Sequence, residues 1–305
     1  MSYQECPEPE CHEFAPAPAV DTVIVPRARD IGGFEVRRAL PNVKKRMVGP
    51  FIFFDQMGPN EFLLGKGLDV RPHPHIGLST LTYLLDGEII HKDSLGTDLP
   101  IRPGEVNWMT AGSGIAHSER TSAAARQTVS RLYGLQAWIA LPARDEETAP
   151  AFFHYDKPEL PTHAAEGKQV RLIAGSMYGM TSPVKTSSAM MYADVHLEAG
   201  ARLPIETEHE ERALYPLDGE IDVNGDVFGP HQLLVLHPGD PITVTARQAA
   251  RLMVLGGAPM EGPRYIWWNF VSSSQDRIEQ AKADWQAGKF APVPNDPEFT
   301  PLPAS

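Results

Sequence analysis

The feature that most constrains this 305-residue sequence is a pair of short polar motifs at the two ends of the stretch 71–119. His73 and His75 lie near its start, and His117 and Glu119 lie at its end. Both motifs have i, i+2 spacing, and in an extended strand alternate side chains point to the same face. If the two strands lie side by side, three imidazoles and one carboxylate converge on one point. This donor set predicts a site for a single divalent metal ion.

Two other interpretations of these residues compete with a metal site. A histidine pair on a strand is often only a surface or hydrogen-bonded feature, but here two such motifs lie close together in a chain that has 11 histidines. A nucleophilic triad is the second alternative, because Ser118 follows His117 directly. No Gly-x-Ser-x-Gly elbow surrounds Ser118, so the nucleophile interpretation fits poorly. The pattern therefore favours a metal.

Composition and charge exclude several classes of function. The formal net charge is −12, and an acidic protein repels the phosphate backbone, so direct nucleic-acid binding is not expected. No apolar run reaches the ~20 residues that a membrane helix needs. The stretch 1–13 is acidic and Pro-rich without a basic region, which is unlike a secretory signal. We therefore expect a cytoplasmic protein without a membrane partner.

Both cysteines, Cys6 and Cys11, lie in an N-terminal extension over 1–21. The body of the chain therefore has no disulfide framework, which agrees with a reducing compartment. Together with His12 the two cysteines could form part of a second metal site. A loosely packed arm is the simpler interpretation of this Pro-rich segment.

An internal repeat indicates that the chain is duplicated. The sequence YLLDGEI at 83–89 recurs as YPLDGEI at 215–221, an offset of 132 residues. At that offset the first histidine pair maps onto Ile205 and Thr207, which are not metal ligands. We therefore expect two similar domains, of which the second has no metal.

The distribution of short apolar runs and turns predicts a mainly β fold. It consists of two tandem antiparallel β-barrel domains, with one C-terminal helix predicted over 276–288. The expected organisation is an N-terminal extension (1–21), a metal-binding domain (22–145), and a second domain without metal that includes the helix and a tail (146–305).

Longer motifs resemble a known family. The spacing around the first histidine pair is similar to the first cupin motif, except that Ser79 and Thr80 stand near the place of the usual glutamate. The carboxylate occurs instead in the second motif, and that relocation resembles the pirin family of bicupins. The resemblance covers about 22–290. The matching stretches are 51–55 (FIFFD), 71–77 (RPHPHIG), 108–119 (WMTAGSGIAHSE) and 268–272 (WNFVS).

The resemblance implies two tandem cupin domains with a single iron, most simply Fe(II), in the first one. His73, His75, His117 and Glu119 would be its ligands, and Cu, Mn, Ni, Co or Zn could occupy the same donors. Some bacterial pirins have flavonol (quercetin) 2,3-dioxygenase activity, which implies a flavonol and O₂ as substrates. Glu119 would then also be catalytic, because it could accept the proton of the 3-hydroxyl group.

A non-enzymatic alternative follows from the same family. Other pirins resemble iron-binding, redox-sensing interaction proteins that regulate a transcription factor or a metabolic enzyme, which implies a protein partner. Storage-protein and sugar-isomerase cupins share the barrel but lack the relocated glutamate. An apolar cleft open to the metal would favour an enzyme, and a sealed metal would favour a sensor.

Four residues are candidates for substrate contacts. Phe53, Trp108 and Met109 could form an apolar wall for a flat aromatic substrate, or they could be barrel core. Asp55 directly follows a buried-strand pattern, and it either faces the mouth of the site or caps the strand end. His91 is expected to be a surface residue on a strand.

Overall fold

The computed structural model of the chain describes residues 18–30 and 34–303. Cys6, Cys11 and His12 lie outside the described residues. Within the described part, no helix is long and apolar enough to cross a membrane. Over the described residues the fold consists of β-strands with one α-helix near the C-terminus, which confirms the predicted fold class.

The strands of the first half are short to medium in length and are separated by tight turns. Apolar, β-branched and aromatic residues dominate the buried ones, such as β4, and suit a pleated, packed surface. Their bounds are β1 Val20–Ile24, β2 Arg27–Asp30, β3 Glu35–Leu40, β4 Phe51–Phe62, β5 Asp69–His75, β6 Leu78–Asp86, β7 Ile89–Asp93, β8 Asp98–Ile101, β9 Val106–Thr110, β10 Ile115–Arg120, β11 Ser130–Ala140 and β12 Ala151–Tyr155. Short 3-10 turns span Ala125–Gln127, Ala143–Asp145 and Lys157–Glu159.

The second half repeats this pattern and ends with the helix. Its elements are β13 Thr162–Ala165, β14 Lys168–Met177, β15 Met180–Thr181, β16 Met190–Leu197, β17 Arg202–Ile205, β18 Glu211–Asp218, β19 Ile221–Val223, β20 Asp226–Phe228, β21 Leu233–Leu236, β22 Ile242–Ala246, β23 Ala250–Gly257, β24 Tyr265–Trp267, β25 Phe270–Ser272 and α1 Gln275–Gln286. The Ser274 side chain accepts a hydrogen bond from the Arg277 amide and caps α1, as serine commonly does at this position.

Each half forms a barrel from one large and one small antiparallel sheet. In the first barrel the strand orders are β12-β9-β6-β11-β4-β3-β2 and β5-β10-β7-β8. In the second they are β1-β21-β18-β23-β16-β14-β13, with β15 beside β14, and β17-β22-β19-β20. The two orders correspond strand by strand, so the topology agrees with the duplication that the repeat predicts.

Two strands near the predicted domain boundaries, β1 and β12, belong to the barrel that the sequence did not suggest. β1 spans the predicted start of the first domain at residue 22, but it pairs with β21 of the second barrel. β12 follows the predicted boundary at 145 but pairs with β9 of the first barrel. The two strands occupy equivalent sheet edges, and a strand pattern alone does not specify which edge a strand joins.

The two large sheets pack against each other through a shared apolar core. Tyr83 and Tyr215, which are equivalent in the repeat, both lie in this core. The Tyr83 hydroxyl donates to an Asp194 oxygen at 2.8 Å, and the Tyr215 hydroxyl donates to Gln56 Oε1 at 2.8 Å. Each barrel thus receives a buried hydrogen bond from the other, which fixes their relative orientation.

Candidate metal centre

Strands β5 and β10 bring the two polar motifs together. They pair antiparallel, with His73 opposite His117 and with His75 opposite Ile115. β5 is the edge strand of its sheet, as the prolines beside the histidines require, because proline donates no ladder hydrogen bond. His75 Nε2 lies 3.0 Å from His117 Nε2, and one nitrogen from each of the three rings falls within 4.8 Å of the others.

Backbone carbonyls fix the tautomers of the first two histidines. His73 Nδ1 lies 2.9 Å from the Arg71 carbonyl oxygen, and His75 Nδ1 lies 3.2 Å from the Asn269 carbonyl oxygen. A carbonyl can only accept, so Nδ1 of each ring carries the hydrogen. The Nε2 lone pairs of both rings are therefore free for a metal, and an N–H to carbonyl bond is the usual way to orient a histidine ligand.

Burial keeps the three imidazoles neutral, which is the form that binds a metal. Burial lowers the pKa of His73 to about 4, although the hydrogen bond to the Arg71 carbonyl opposes the change. The pKa values of His75 and His117 fall well below the usual range, first through burial and then through the neighbouring histidines. Three neutral ring nitrogens within one small space fit a divalent transition metal.

Glu119 lies beside this cluster on the His117 side. Glu119 is 7% exposed, and burial raises its pKa, while the electrostatic influence of the neighbouring His91 and a hydrogen bond from Thr82 oppose that change. The Thr82 hydroxyl is 3.3 Å from Glu119 Oε1. Glu119 groups with His91 and His117, rather than within the three-histidine set. The structure therefore brings the three predicted histidines together and places the predicted carboxylate next to one of them.

A cavity of about 390 Å³ opens onto His73, His75 and Glu119. Its walls include Phe53 and Trp138, whose rings stack with centroids 3.9 Å apart and planes 10° apart. The Trp138 ring meets the His75 ring edge to face at 5.0 Å. A cavity of this size with rigid aromatic walls suits a small planar ligand.

Two of the four predicted substrate contacts line this cavity. Phe53 and Asp55 are on its wall, and Asp55 accepts two hydrogen bonds from Arg38 at 2.9 and 2.8 Å. Trp108 and Met109 are instead buried in apolar clusters and do not line the cavity. For these two residues the other interpretation, barrel core, applies, because adjacent residues of a strand point to opposite faces and each face of β9 packs against an apolar cluster.

His91 is the main functional candidate that the sequence placed wrongly. It is 3% exposed, and its Nδ1 lies 3.4 Å from His117 Nδ1. The sequence does contain a pattern that could have indicated this role, because His91 and Asp93 have the same i, i+2 spacing as the two ligand motifs. Gln136 and Trp138, on β11, also line the cavity, but nothing in their local sequence distinguishes them from other strand residues.

The C-terminal segment closes one side of the site. Trp268 and Asn269 form the turn between β24 and β25, where Trp267 pairs with Phe270, and Trp268 has a φ of 51°. Such a conformation is strained for a bulky residue, and it places the Asn269 carbonyl against His75. At Gly77, a Cβ atom would collide with the Val271 carbonyl, so only glycine allows this close approach.

Sequence comparisons agree with this architecture. The Pirin profile matches residues 33–139, and the profile of the Pirin C-terminal cupin domain matches residues 192–291. The chain belongs to the pirin family. A pirin-like protein of Caulobacter vibrioides is 50% identical over 288 residues, which cover 93% of this chain and 99% of that protein.

Two further relatives carry the name of an enzyme. A Pseudomonas aeruginosa protein provisionally named quercetin 2,3-dioxygenase is 39% identical over 290 residues, which cover 94% of this chain and 88% of that protein. The crystal structure of quercetin 2,3-dioxygenase from Acinetobacter baumannii superposes with a TM-score of 0.85 at 35% identity, covering 93% of this chain and 94% of that one. This pirin therefore shares its bicupin fold with proteins that bear this name.

The second cupin barrel has an aliphatic interior where the first has the polar cluster. Cross-strand partners in the two small sheets identify the equivalent positions. The residues His73, His91, His117 and Glu119 correspond to Ile205, Val223, Ile242 and Val244. All four replacements belong to the apolar core of the second barrel. Thr207, the predicted equivalent of His75, lies just beyond the end of β17. Among the described residues, no candidate ligand cluster lies inside this barrel.

Proposed function

We propose that this pirin is a mononuclear metal enzyme that cleaves flavonols with O₂, as a quercetin 2,3-dioxygenase does. The observation that carries the proposal is the aromatic-walled cavity, which opens directly onto neutral histidines and a carboxylate. The names of the two enzyme-like relatives support the same reaction.

His73, His75, His117 and Glu119 would hold the metal, and we propose Fe(II) as its identity. Copper, manganese, nickel, cobalt or zinc would fit the same nitrogen and oxygen donors. When bound, the metal would supply Lewis acidity toward the 3-oxygen of the flavonol and a coordination position for oxygen. Glu119 lies beside the three-histidine set, because one of its carboxylate oxygens is within 4.8 Å of a His117 ring nitrogen.

Glu119 is also the candidate base. A flavonol must lose its 3-hydroxyl proton before its ring becomes electron-rich enough to react with O₂, and Glu119 is the carboxylate on the cavity wall beside the histidines. Burial raises its pKa, which makes its ionised form a stronger base than a solvent-exposed glutamate. The Thr82 hydroxyl lies 3.3 Å from Glu119 Oε1 and 2.9 Å from Gln136 Oε1, so it helps to orient the carboxylate.

The cavity walls would orient the substrate. The stacked pair of Phe53 and Trp138 offers an apolar surface beside His75. Arg38 lies 4.3 Å above the Phe53 ring and is held there by Asp55. This arrangement gives the cavity one polar edge, where the hydroxyl groups of a polyphenol could form hydrogen bonds. The apolar part of the wall excludes water from the reacting carbons.

The alternative function is a redox-sensing interaction protein, for which a sealed metal site would be sufficient. The cavity beside His73 and His75 supports an enzyme instead, because it has room for a substrate next to the proposed metal. The two functions differ in one simple respect, since only the enzyme consumes oxygen with a small molecule.

The test is anaerobic loading with Fe(II), followed by oxygen uptake with a panel of flavonols. We expect loss of the flavonol absorption together with release of one carbon monoxide for each O₂ consumed. His73→Ala and His117→Ala should lose most of their metal and their activity. If protein loaded with Fe(II), Cu(II), Mn(II) or Ni(II) consumes no oxygen with any flavonol, the enzyme proposal is refuted and the interaction protein becomes the preferred function.

A further inference from the structure

We propose that Asp93 and His91 are positioning residues that set the tautomer of His117 and so complete the metal site. The inference rests on the metal-binding part of the proposed function and not on the flavonol reaction. Asp93, His91 and His117 form one buried chain of contacts that ends at the histidine cluster, and each is at most 3% exposed.

The chain begins at a carboxylate that is fixed in place. Asp93 Oδ1 accepts hydrogen bonds from the amides of Leu95 and Thr97 at 2.9 and 3.1 Å. Its other oxygen, Oδ2, lies 3.1 Å from His91 Nε2. The carboxylate can only accept when it is ionised, so His91 Nε2 carries a hydrogen. In the neutral ring, His91 Nδ1 is therefore a lone pair.

The His91 ring influences the tautomer of the His117 ring in a similar way. His91 Nδ1 lies 3.4 Å from His117 Nδ1, so a lone pair on His91 Nδ1 favours the tautomer of His117 that carries its hydrogen on Nδ1. His117 Nε2 is then a lone pair, and it faces the Nε2 lone pair of His75 at 3.0 Å. Two buried acceptors at this distance repel each other, and a cation bound between the rings removes the repulsion. Asp93 thus acts through His91 to keep the Nε2 lone pair of His117 available for a metal.

His91 is placed for this role and not for contact with substrate. Its ring stacks on Phe152 with centroids 4.5 Å apart, and it does not line the cavity. Strand register supports the assignment as well, since the equivalent residue in the second barrel is Val223, in the barrel where the other donors are also aliphatic. His91 therefore occurs together with the ligand set that it would support.

Asp93→Asn is the decisive variant because it preserves the shape of the side chain, reverses the direction of its hydrogen bond to His91 and removes one charge. The asparagine Oδ1 can still accept from Leu95 and Thr97, while its amide nitrogen faces His91 Nε2. His91 then carries its hydrogen on Nδ1, and His117 must carry its own on Nε2, where the metal should bind. We expect binding of Zn(II) and Co(II), measured by chelator competition, to weaken about 10- to 100-fold, the range for loss of a residue that orients a ligand.

One control separates this effect from loss of charge, and one spectrum tests the tautomer directly. Asp98→Asn removes the same charge from the same hairpin, but the Asp98 side chain is 53% exposed and pairs with Lys92 at 3.2 Å, so metal affinity should not change. Long-range ¹H–¹⁵N spectra of the Zn(II)-loaded protein should show the Nδ1–H tautomer for His117. An affinity of Asp93→Asn equal to that of Asp98→Asn, or an Nε2–H tautomer of His117 in the wild type, would overturn the proposal.

Substitutions of His91 test the same chain if Asp93→Asn does not fold. In His91→Gln, the amide oxygen can accept from His117 and the amide nitrogen can donate to Asp93, so metal affinity should stay close to that of the wild type. His91→Phe fills a similar volume against Phe152 but provides no acceptor, so affinity should fall about 10- to 100-fold. Equal affinities of the two variants, both folded, would refute the positioning role.

Discussion

Acidification of the metal-free protein should destabilise the fold through His73. Burial lowers the pKa of this side chain from 6.5 to about 4 in the folded chain. Between these values the unfolded chain binds a proton that the folded chain does not, so stability rises with pH across this window. The neutral His73 therefore does not lower the free energy of unfolding above pH 6.5, and this free energy decreases progressively as the pH falls toward 4.

The size of the effect follows from the pKa difference. A pH of about 5 lies about 1.5 units below the pKa of 6.5 that His73 has in the unfolded chain. Each unit corresponds to about 1.4 kcal/mol, so the free energy of unfolding falls by about 2 kcal/mol. His75 and His117 change in the same direction and add to the loss. Glu119 changes in the opposite direction, because a raised carboxyl pKa means that stability is lost as the pH rises. The informative quantity is therefore a difference between variants.

The assay is urea unfolding of protein freed of metal by a chelator, at about pH 8 and at about pH 5. Wild type should lose about 2 kcal/mol more than His73→Gln between the two pH values, because glutamine does not titrate. His163→Gln, at an exposed position on β13, is the matched control and should behave like the wild type. An equal loss in wild type and His73→Gln would refute the argument that burial holds this imidazole neutral.

Three further predictions concern the base, the second barrel and the inter-barrel core. Glu119→Gln should retain much of its metal and lose turnover by about 100-fold or more, the effect of a lost base, and its residual rate should rise with pH as the flavonol ionises unaided. A preparation saturated with Fe(II) should hold one equivalent per chain by metal analysis, and a second tight equivalent that survives His75→Ala would contradict this. In urea unfolding, Tyr83→Phe should lower the free energy of unfolding by about 1.5–3 kcal/mol and Tyr215→Phe by only about 0.5–1.5 kcal/mol. The reason is that the Tyr83 hydroxyl donates to a carboxylate, whereas the Tyr215 hydroxyl donates to an amide oxygen. Equal losses would contradict this difference between the two hydrogen bonds.

The histidine cluster could be predicted because its geometry is encoded locally. A spacing of two residues fixes the shared face of each motif, whatever the rest of the fold does. Pro72 and Pro74 lie beside the two histidines on β5, which is an edge strand, where residues without an amide hydrogen are tolerated. Only the pairing of β5 with β10 required the tertiary structure.

The cavity could not be predicted in the same way because its walls come from distant parts of the chain. Trp138 lies on β11, and Trp268 belongs to the C-terminal turn. Trp108 is as large and apolar as either, yet it packs into the core between the barrels. Strand alternation predicts two faces but does not tell which of them meets the core, and that choice depends on the neighbouring sheet.

The contrast between the two barrels explains why the polar cluster needs a ligand. Both small sheets have the same strand order, so the fold itself is compatible with either interior. In the second barrel the equivalent positions are aliphatic and stabilise the sheet by burial of apolar surface. In the first, three imidazoles and Glu119 are buried at a desolvation cost that hydrogen bonds offset only in part. A metal that binds the folded chain but not the unfolded chain would offset this desolvation cost and raise the free energy of unfolding. The first barrel should therefore be the less stable of the two without metal and should gain most of the stability that metal confers.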